Sequence, residues 1–130
     1  MLTIWVNGCF DILHVGHIEL LEYAKSLGDE LIVGLDTDER IKISKGKSRP
    51  INTLQDRITM LKSIRWIDQV TYFNSDKELR EKIKSFNSDI IVLGSDYKNK
   101  NVIGSDLVKQ VLYFDRVGNH STTNIVNAKT

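Results

Sequence analysis

The stretch Val6–Leu21, VNGCFDILHVGHIELL, joins the end of an apolar run to the start of an amphipathic one. It sets two of the chain's three histidines, His14 and His17, three residues apart with Gly16 between them. Upstream, Leu2 to Val6 reads as a strand. Downstream, Leu20, Leu21, Ala24 and Leu27 share one helical face while Glu19, Glu22, Lys25 and Ser26 fall outside it, which predicts a helix over 17–27 stopped at Gly28. A strand passing through a glycine-bearing turn into a helix opens a βαβ unit.

The same alternation continues along the chain. Apolar, β-branched runs at Leu31–Leu35, Val70–Phe73, Ile90–Leu93 and Val111–Phe114 alternate with helical patterns at 53–64 and 77–86. Thr53 is placed to cap the second helix, whose buried side is Ile58, Met60, Leu61 and Ile64. The pattern predicts an α/β fold with a doubly wound, five-stranded parallel sheet and a ligand crevice at the carboxyl ends of the strands. At 130 residues the chain fits one domain, 1–130.

Two polar connections interrupt the pattern. Asp36–Asn52, DTDERIKISKGKSRPIN, reads as a long loop carrying five lysines and arginines, and loops of this length are usually functional or mobile. A second irregular stretch, GSDYKNKNVIGSD, covers Gly94–Asp106. The basic stretch is not a GxxxxGK[ST] phosphate loop, because Ile41 stands where the first glycine belongs.

Composition narrows the function classes. Eighteen basic against seventeen acidic residues give a net charge of +1, so no nucleic-acid partner is expected. No apolar run approaches the roughly 20 residues that cross a bilayer, and the N-terminus lacks a signal-peptide pattern, so no membrane partner and a cytoplasmic location are expected. Cys9 is the only cysteine, which rules out an internal disulfide and a cysteine-rich zinc site; no protein-held metal is expected.

The chemistry gathers at the end of the first strand. A helix N-terminus there offers unpaired N–H groups and partial positive charge, which suit phosphate, and the two histidines add side-chain donors. Gly8 and Gly16 would let a ligand approach the backbone or let the chain take positive φ. Each residue also has a plain reading. A single histidine is ordinarily a surface or core-edge residue, Phe10 is core, Asp11 caps a turn, Ser121 caps a helix, and the lysines are a solvated loop.

Jointly the residues say more. His-x-Gly-His preceded by Gly-x-Phe-Asp closely resembles the signature of the cytidylyltransferase-like nucleotidyltransferases. HSTTNI at His120–Ile125, KGKSRPINTLQDR at Lys45–Arg57 and LGSDYK at Leu93–Lys98 resemble that family's further motifs. The resemblance implies a Rossmann-like fold and transfer of a nucleoside monophosphate from a nucleoside triphosphate to a phosphorylated sugar or polyol, with release of pyrophosphate.

It implies catalytic roles for His14 and His17 at the α and β phosphates, for Lys45, and for Arg57 on the pyrophosphate side. Lys47 and Arg49 would serve the acceptor phosphate or a closing lid. Gly8, Cys9, Phe10, Asp11, Gly16, Gly94, Asp96, Arg116, Ser121, Thr122 and Thr123 would line the nucleotide. Mg²⁺ accompanying the triphosphate and a homodimer are implied as well.

Two branches of the family compete. NGCFDILHVGH, KGKSRPIN followed by DR, GSDYK, VIGSD and STTNI match, in order, the sugar-1-phosphate adenylyltransferases typified by the adenylyltransferase domain of bifunctional ADP-heptose synthase. FDILHVGHIELLEYAKSLGD and Arg116 match the glycerol-3-phosphate cytidylyltransferases, although VGNH departs from that branch's Arg-Thr-Glu-Gly-Ile-Ser-Thr-Thr motif. A nucleotide sensor on the same fold and a redox protein built on Cys9 are the readings from other classes.

Overall fold

The computed structural model of the protein describes residues 1–115. The chain runs β1 (Thr3–Gly8), α1 (Val15–Ser26), β2 (Glu30–Asp36), α2 (Asp38–Lys45), α3 (Leu54–Lys62), β3 (Gln69–Phe73), α4 (Asp76–Ser85), β4 (Ile90–Gly94) and β5 (Gln110–Phe114). Two short 3₁₀ turns, Ser95–Tyr97 and Ser105–Leu107, connect the last two strands. The strands form one sheet in the order β3-β2-β1-β4-β5, with every neighbouring pair parallel. The chain winds outward from β1 in one direction and, after β3, returns to β4 on the other side. The crevice of such a sheet lies outside the carboxyl ends of β1 and β4.

Period-two alternation sends successive strand residues to opposite faces. Ile4, Val6, Leu31, Val33, Leu35, Ile90 and Val92 form one core with Leu21 and Ala24 of α1 and Leu61 of α3. Trp5, Ile32, Ile91 and Leu93 form the other with Leu79 and Ile83 of α4, closed by Val102, Ile103, Leu107 and Val108 of the last crossover. Both faces are covered, as a parallel sheet requires. The expected five-stranded, doubly wound architecture is the observed one.

Three details differ from the sequence reading. First, α1 starts at Val15 instead of 17, because His14 acts as its N-cap: the ring Nδ1 accepts the N–H of Gly16 at 3.1 Å. Second, Gly28 serves close packing: a Cβ there would lie 2.8 Å from the Leu2 carbonyl oxygen. Third, the polar connection is not all loop. Thr37 caps α2 by accepting the N–H of Arg40, Asp38 and Glu39 favour its first turn and Lys42 and Lys45 its last, while Ile41 alone is fully buried.

Candidate active site

The turn from Cys9 to His14 lies at the carboxyl end of β1, beside the point where the strand order reverses. The two imidazoles stack, with ring centroids 3.8 Å apart and an interplanar angle of 29°. Backbone geometry holds the pair in register. The N–H of His14 donates to Nδ1 of His17 at 3.3 Å, and the N–H of Gly16 donates to Nδ1 of His14. A ring whose Nδ1 accepts an N–H carries its proton on Nε2 when neutral. Both imidazoles therefore carry Nε2–H when neutral, and the Nε2 of His14 is itself buried.

The first-turn amides are less available than their position suggests, since the N–H groups of His17 and Ile18 both donate to the His14 carbonyl, at 3.0 and 3.2 Å. Anion recognition at this helix end thus falls to the imidazoles and to the helix dipole. The dipole is left uncompensated: α2, α3 and α4 each carry an acidic residue in the first turn, and α1 carries none.

Neither Gly8 nor Gly16 has a positive φ; in this turn it is Phe10 that does, at φ 47°. The Phe10 ring is buried and packs against the His17 ring, centroid to centroid 5.1 Å, so it backs the imidazole instead of lining the nucleotide. Gly8 makes room for that ring, because a Cβ there would sit 3.2 Å from Phe10 Cε2. Backbone strain of this kind collects at functional turns.

Asp11 is fully buried. One carboxylate oxygen accepts the N–H of Asn52 at 2.8 Å, both accept that of Ile51 at 2.9 Å, and Oδ2 takes Nε of Arg49 at 2.9 Å. The Asn52 side-chain amide donates back to the Asp11 carbonyl. Burial pushes the Asp11 carboxyl up, but the donors from Asn52, Ile51 and Arg49 outweigh it and hold the group below the usual carboxylate range. Asp11 therefore ties the histidine turn to the end of the basic stretch.

Arg57 requires a correction. Instead of facing the pyrophosphate side, its guanidinium is fully buried and donates to the carbonyls of Cys9 (2.9 Å), Asp36 (2.7 Å) and Asn52 (3.1 Å) and to Asp38 Oδ1 (2.6 Å). It joins the ends of β1 and β2 to the starts of α2 and α3. Arg49, read as an acceptor or lid residue, also turns inward to Asp11, and its Nη2 is buried with no hydrogen-bond partner among the described residues.

Lys45 ends α2, and its charge reaches Cys9. Lys47 is exposed in the loop that follows. Burial pushes the Cys9 thiol up to about 11, with Asp36 adding to the effect through a 3.6 Å contact and Lys45 and Arg57 opposing it. A thiol so placed is un-ionised at neutral pH, which disfavours the redox reading. Across the crevice, Gly94 ends β4 and Asp96 lies in the 3₁₀ turn after it. Arg116, Ser121, Thr122 and Thr123 lie outside the described residues.

Among the described residues there is no cluster of three or more His, Cys, Asp or Glu side chains fit to hold a metal. Two carboxylates that bond to or within this turn are already engaged: Asp11 as above, and Asp36 by Arg40 at 2.7 Å and by Cys9. Sequence reasoning gave no hint of Asn52, Asp36 and Asp38 as parts of this framework. Their partners are distant in the chain, and only the fold brings them together.

The chain matches the cytidylyltransferase-like family over residues 5–127. It is 48% identical to the bifunctional protein HldE of Helicobacter hepaticus over 125 residues, which covers 96% of this chain and 26% of that protein. It is 49% identical to HldE of a Nitratiruptor species over 95% of this chain, so it spans about a quarter, 26%, of the length of these relatives. Among solved structures, a lipopolysaccharide core biosynthesis protein from Thermoplasma volcanium superposes with a TM-score of 0.73 at 29% identity, covering 88% of this chain and 97% of that one. Pantoate-beta-alanine ligase from Francisella tularensis shares the fold, with a TM-score of 0.62 at 16% identity. Given this match across nearly all of the sequence, on a fold that stacks two imidazoles at the strand-order reversal, the chain belongs to the cytidylyltransferase-like family of nucleotidyltransferases.

Proposed function

We propose that the protein transfers AMP from ATP to a sugar 1-phosphate. An oxygen of the acceptor phosphate attacks the α-phosphorus, a new P–O bond forms, and the bond to the bridging oxygen breaks as pyrophosphate leaves with the electron pair. A phosphate monoester with its second pKa near 6 is already largely ionised at neutral pH, so no general base is needed. The protein's work is alignment and the stabilisation of charge moving onto pyrophosphate.

The stacked imidazoles, each with its neutral-state proton on Nε2 at the uncompensated end of α1, carry this reading. In it His14 and His17 meet the α and β phosphates, Lys45 and Lys47 meet the entering phosphate, and Arg57 and Asp11 hold the frame. Gly94 and Asp96 flank the nucleoside, and Ser121, Thr122, Thr123 and Arg116 complete the phosphate cradle. With Asp11 and Asp36 engaged, Mg²⁺ would be held by the phosphates and water, and it would supply charge neutralisation. The preference for ATP rests on the similarity to HldE. A cytoplasmic homodimer is part of the same proposal, and among the described residues no helix is long and apolar enough to cross a membrane.

CTP with glycerol 3-phosphate is the second reading, favoured by Arg116 five residues before Ser121. Purified protein offered ATP and CTP in turn, each with a panel of sugar 1-phosphates and polyol phosphates, separates the two by pyrophosphate release. Release with ATP and a sugar 1-phosphate is expected. Release with CTP and glycerol 3-phosphate alone would replace the first reading by the second, and no release from any pair would favour a nucleotide sensor.

A further inference from the structure

The basic stretch is anchored at both ends and exposed between them. At its start, Arg57 donates to Asp38 Oδ1 and to the Asp36 carbonyl. At its end, Asp11 holds Arg49, Ile51 and Asn52. Between the anchors every residue from Lys42 to Ser48 is exposed, and Gly46 takes φ 101° with open space around it. From the histidine turn, the side chain that engages the far end of this stretch is Asp11, a carboxylate with no exposed surface.

We propose that Asp11 is a positioning residue for the transfer reaction: paired with Arg49, its buried carboxylate fixes the far anchor of the basic stretch against the histidine turn and so sets where Lys45 and Lys47 stand relative to His14 and His17. The carboxylate suits this task better than a neutral side chain. It has acceptor sites for two adjacent backbone N–H groups and a guanidinium at once, and bonds with an ionised acceptor are the stronger kind. An asparagine would keep one acceptor oxygen and turn an N–H₂ toward donors. The touching groups are structural, so Asp11 acts through the lysines and not on the reacting phosphates. This proposal rests on the transferase reading for its kinetic consequence, though the tether itself can be observed without turnover.

The test compares wild type with Asp11→Asn, Arg49→Met, Arg49→Lys and the double variant D11N/R49M. Two readouts are taken: steady-state kinetics with ATP and the acceptor varied separately, and amide exchange at Ile51 and Asn52. Loosening the anchor should raise the acceptor KM about tenfold or more and lower kcat, while the KM for ATP stays within about twofold. Arg49→Lys should restore part of the loss, and the double variant should be no worse than the poorer single one, as expected of a coupled pair. Exchange at Ile51 and Asn52 should speed up in Asp11→Asn and Arg49→Met. Should Asp11→Asn fail to fold, Arg49→Met carries the same expectations with both backbone bonds to Asp11 left in place.

Wild-type kinetics in Arg49→Met would overturn the proposal, as would a loss in which the KM values for ATP and acceptor change together. If wild type itself releases no pyrophosphate with any pair, the transferase reading fails on its own; unchanged exchange at Ile51 and Asn52 in Arg49→Met would then refute the tether, and faster exchange would support it.

Discussion

Each imidazole of the site does two things at once. Nδ1 accepts a backbone N–H and so closes the start of α1, and the same bond dictates that the ring's proton lies on Nε2. A substitution at His17 therefore removes a donor and half of a cap. Losing one well-placed donor to developing charge lowers turnover about 100- to 1,000-fold. His17→Ala should show a loss of that size in pyrophosphate release while circular dichroism reports a folded protein, since a lost cap typically costs only ~1 kcal/mol. Turnover close to wild type would remove His17 from the reaction. Cys9, two residues before Asp11, should be silent by contrast. With its thiol pushed up to about 11, fewer than about one thiol in a thousand is ionised at pH 7.5. Alkylation by iodoacetamide should be far slower in the native protein than in urea, and equal rates would show that the Asp36 contact and burial do not hold in solution.

At the scale of elements, what the sequence makes legible follows burial. Strands covered on both faces read as apolar runs, and α1 reads from Leu20, Leu21, Ala24 and Leu27 because four apolar residues face the sheet. Helix α2 escapes that logic. It buries only Ile41, most of the rest is charged, Ile43 is exposed, and Gly46 and Pro50 follow closely, so the signals available were its cap Thr37 and the acidic-to-basic order of its charges. Arg57 escapes for the opposite reason: a charge on a helix normally marks the solvent face, yet here three carbonyls and a carboxylate compensate it inside. Asp11 is legible as part of a motif but not as a tether, since its partners lie 38 to 41 residues away.

Element packing also explains a glycine the motifs never touch. A Cβ on Gly34 of β2 would lie 2.5 Å from Trp5 Cζ2 and 3.2 Å from Phe73 Cε1, and both rings are fully buried. Neither has room to move, and overpacking of this kind typically costs about 1–3 kcal/mol. Gly34→Ala should lower the unfolding free energy by that amount, seen as a lower urea midpoint with an unchanged slope. A wild-type midpoint would mean that the indole repacks freely.

For the molecule as a whole, carboxylates pin the sheet at both ends. Asp11 secures the crevice end. At the other end Asp68 holds Lys25 of α1 and the N–H of Leu31 of β2, and Asp89 holds the N–H of Thr3 of β1 and Lys109 beside β5. All three sit below the usual carboxylate range. In Asp11 and Asp68 burial works the other way and is outweighed by the donors, while in Asp89 the N–H of Thr3 is the leading cause. A carboxyl whose value is lowered by folding adds stability above its unfolded value, about 3.9, and that stability disappears as pH falls through the lower folded value. Stability from these groups should accordingly be level near neutrality and drop below about pH 4. The drop should be shallower in Asp68→Asn and Asp89→Asn, each of which starts less stable and has less left to lose, and a melting midpoint tracked from pH 6 to 2.5 measures it. Parallel curves for wild type and both variants would mean that these two carboxylates do not feel their partners in the folded state, and that the end of the sheet opposite the crevice is held by packing alone.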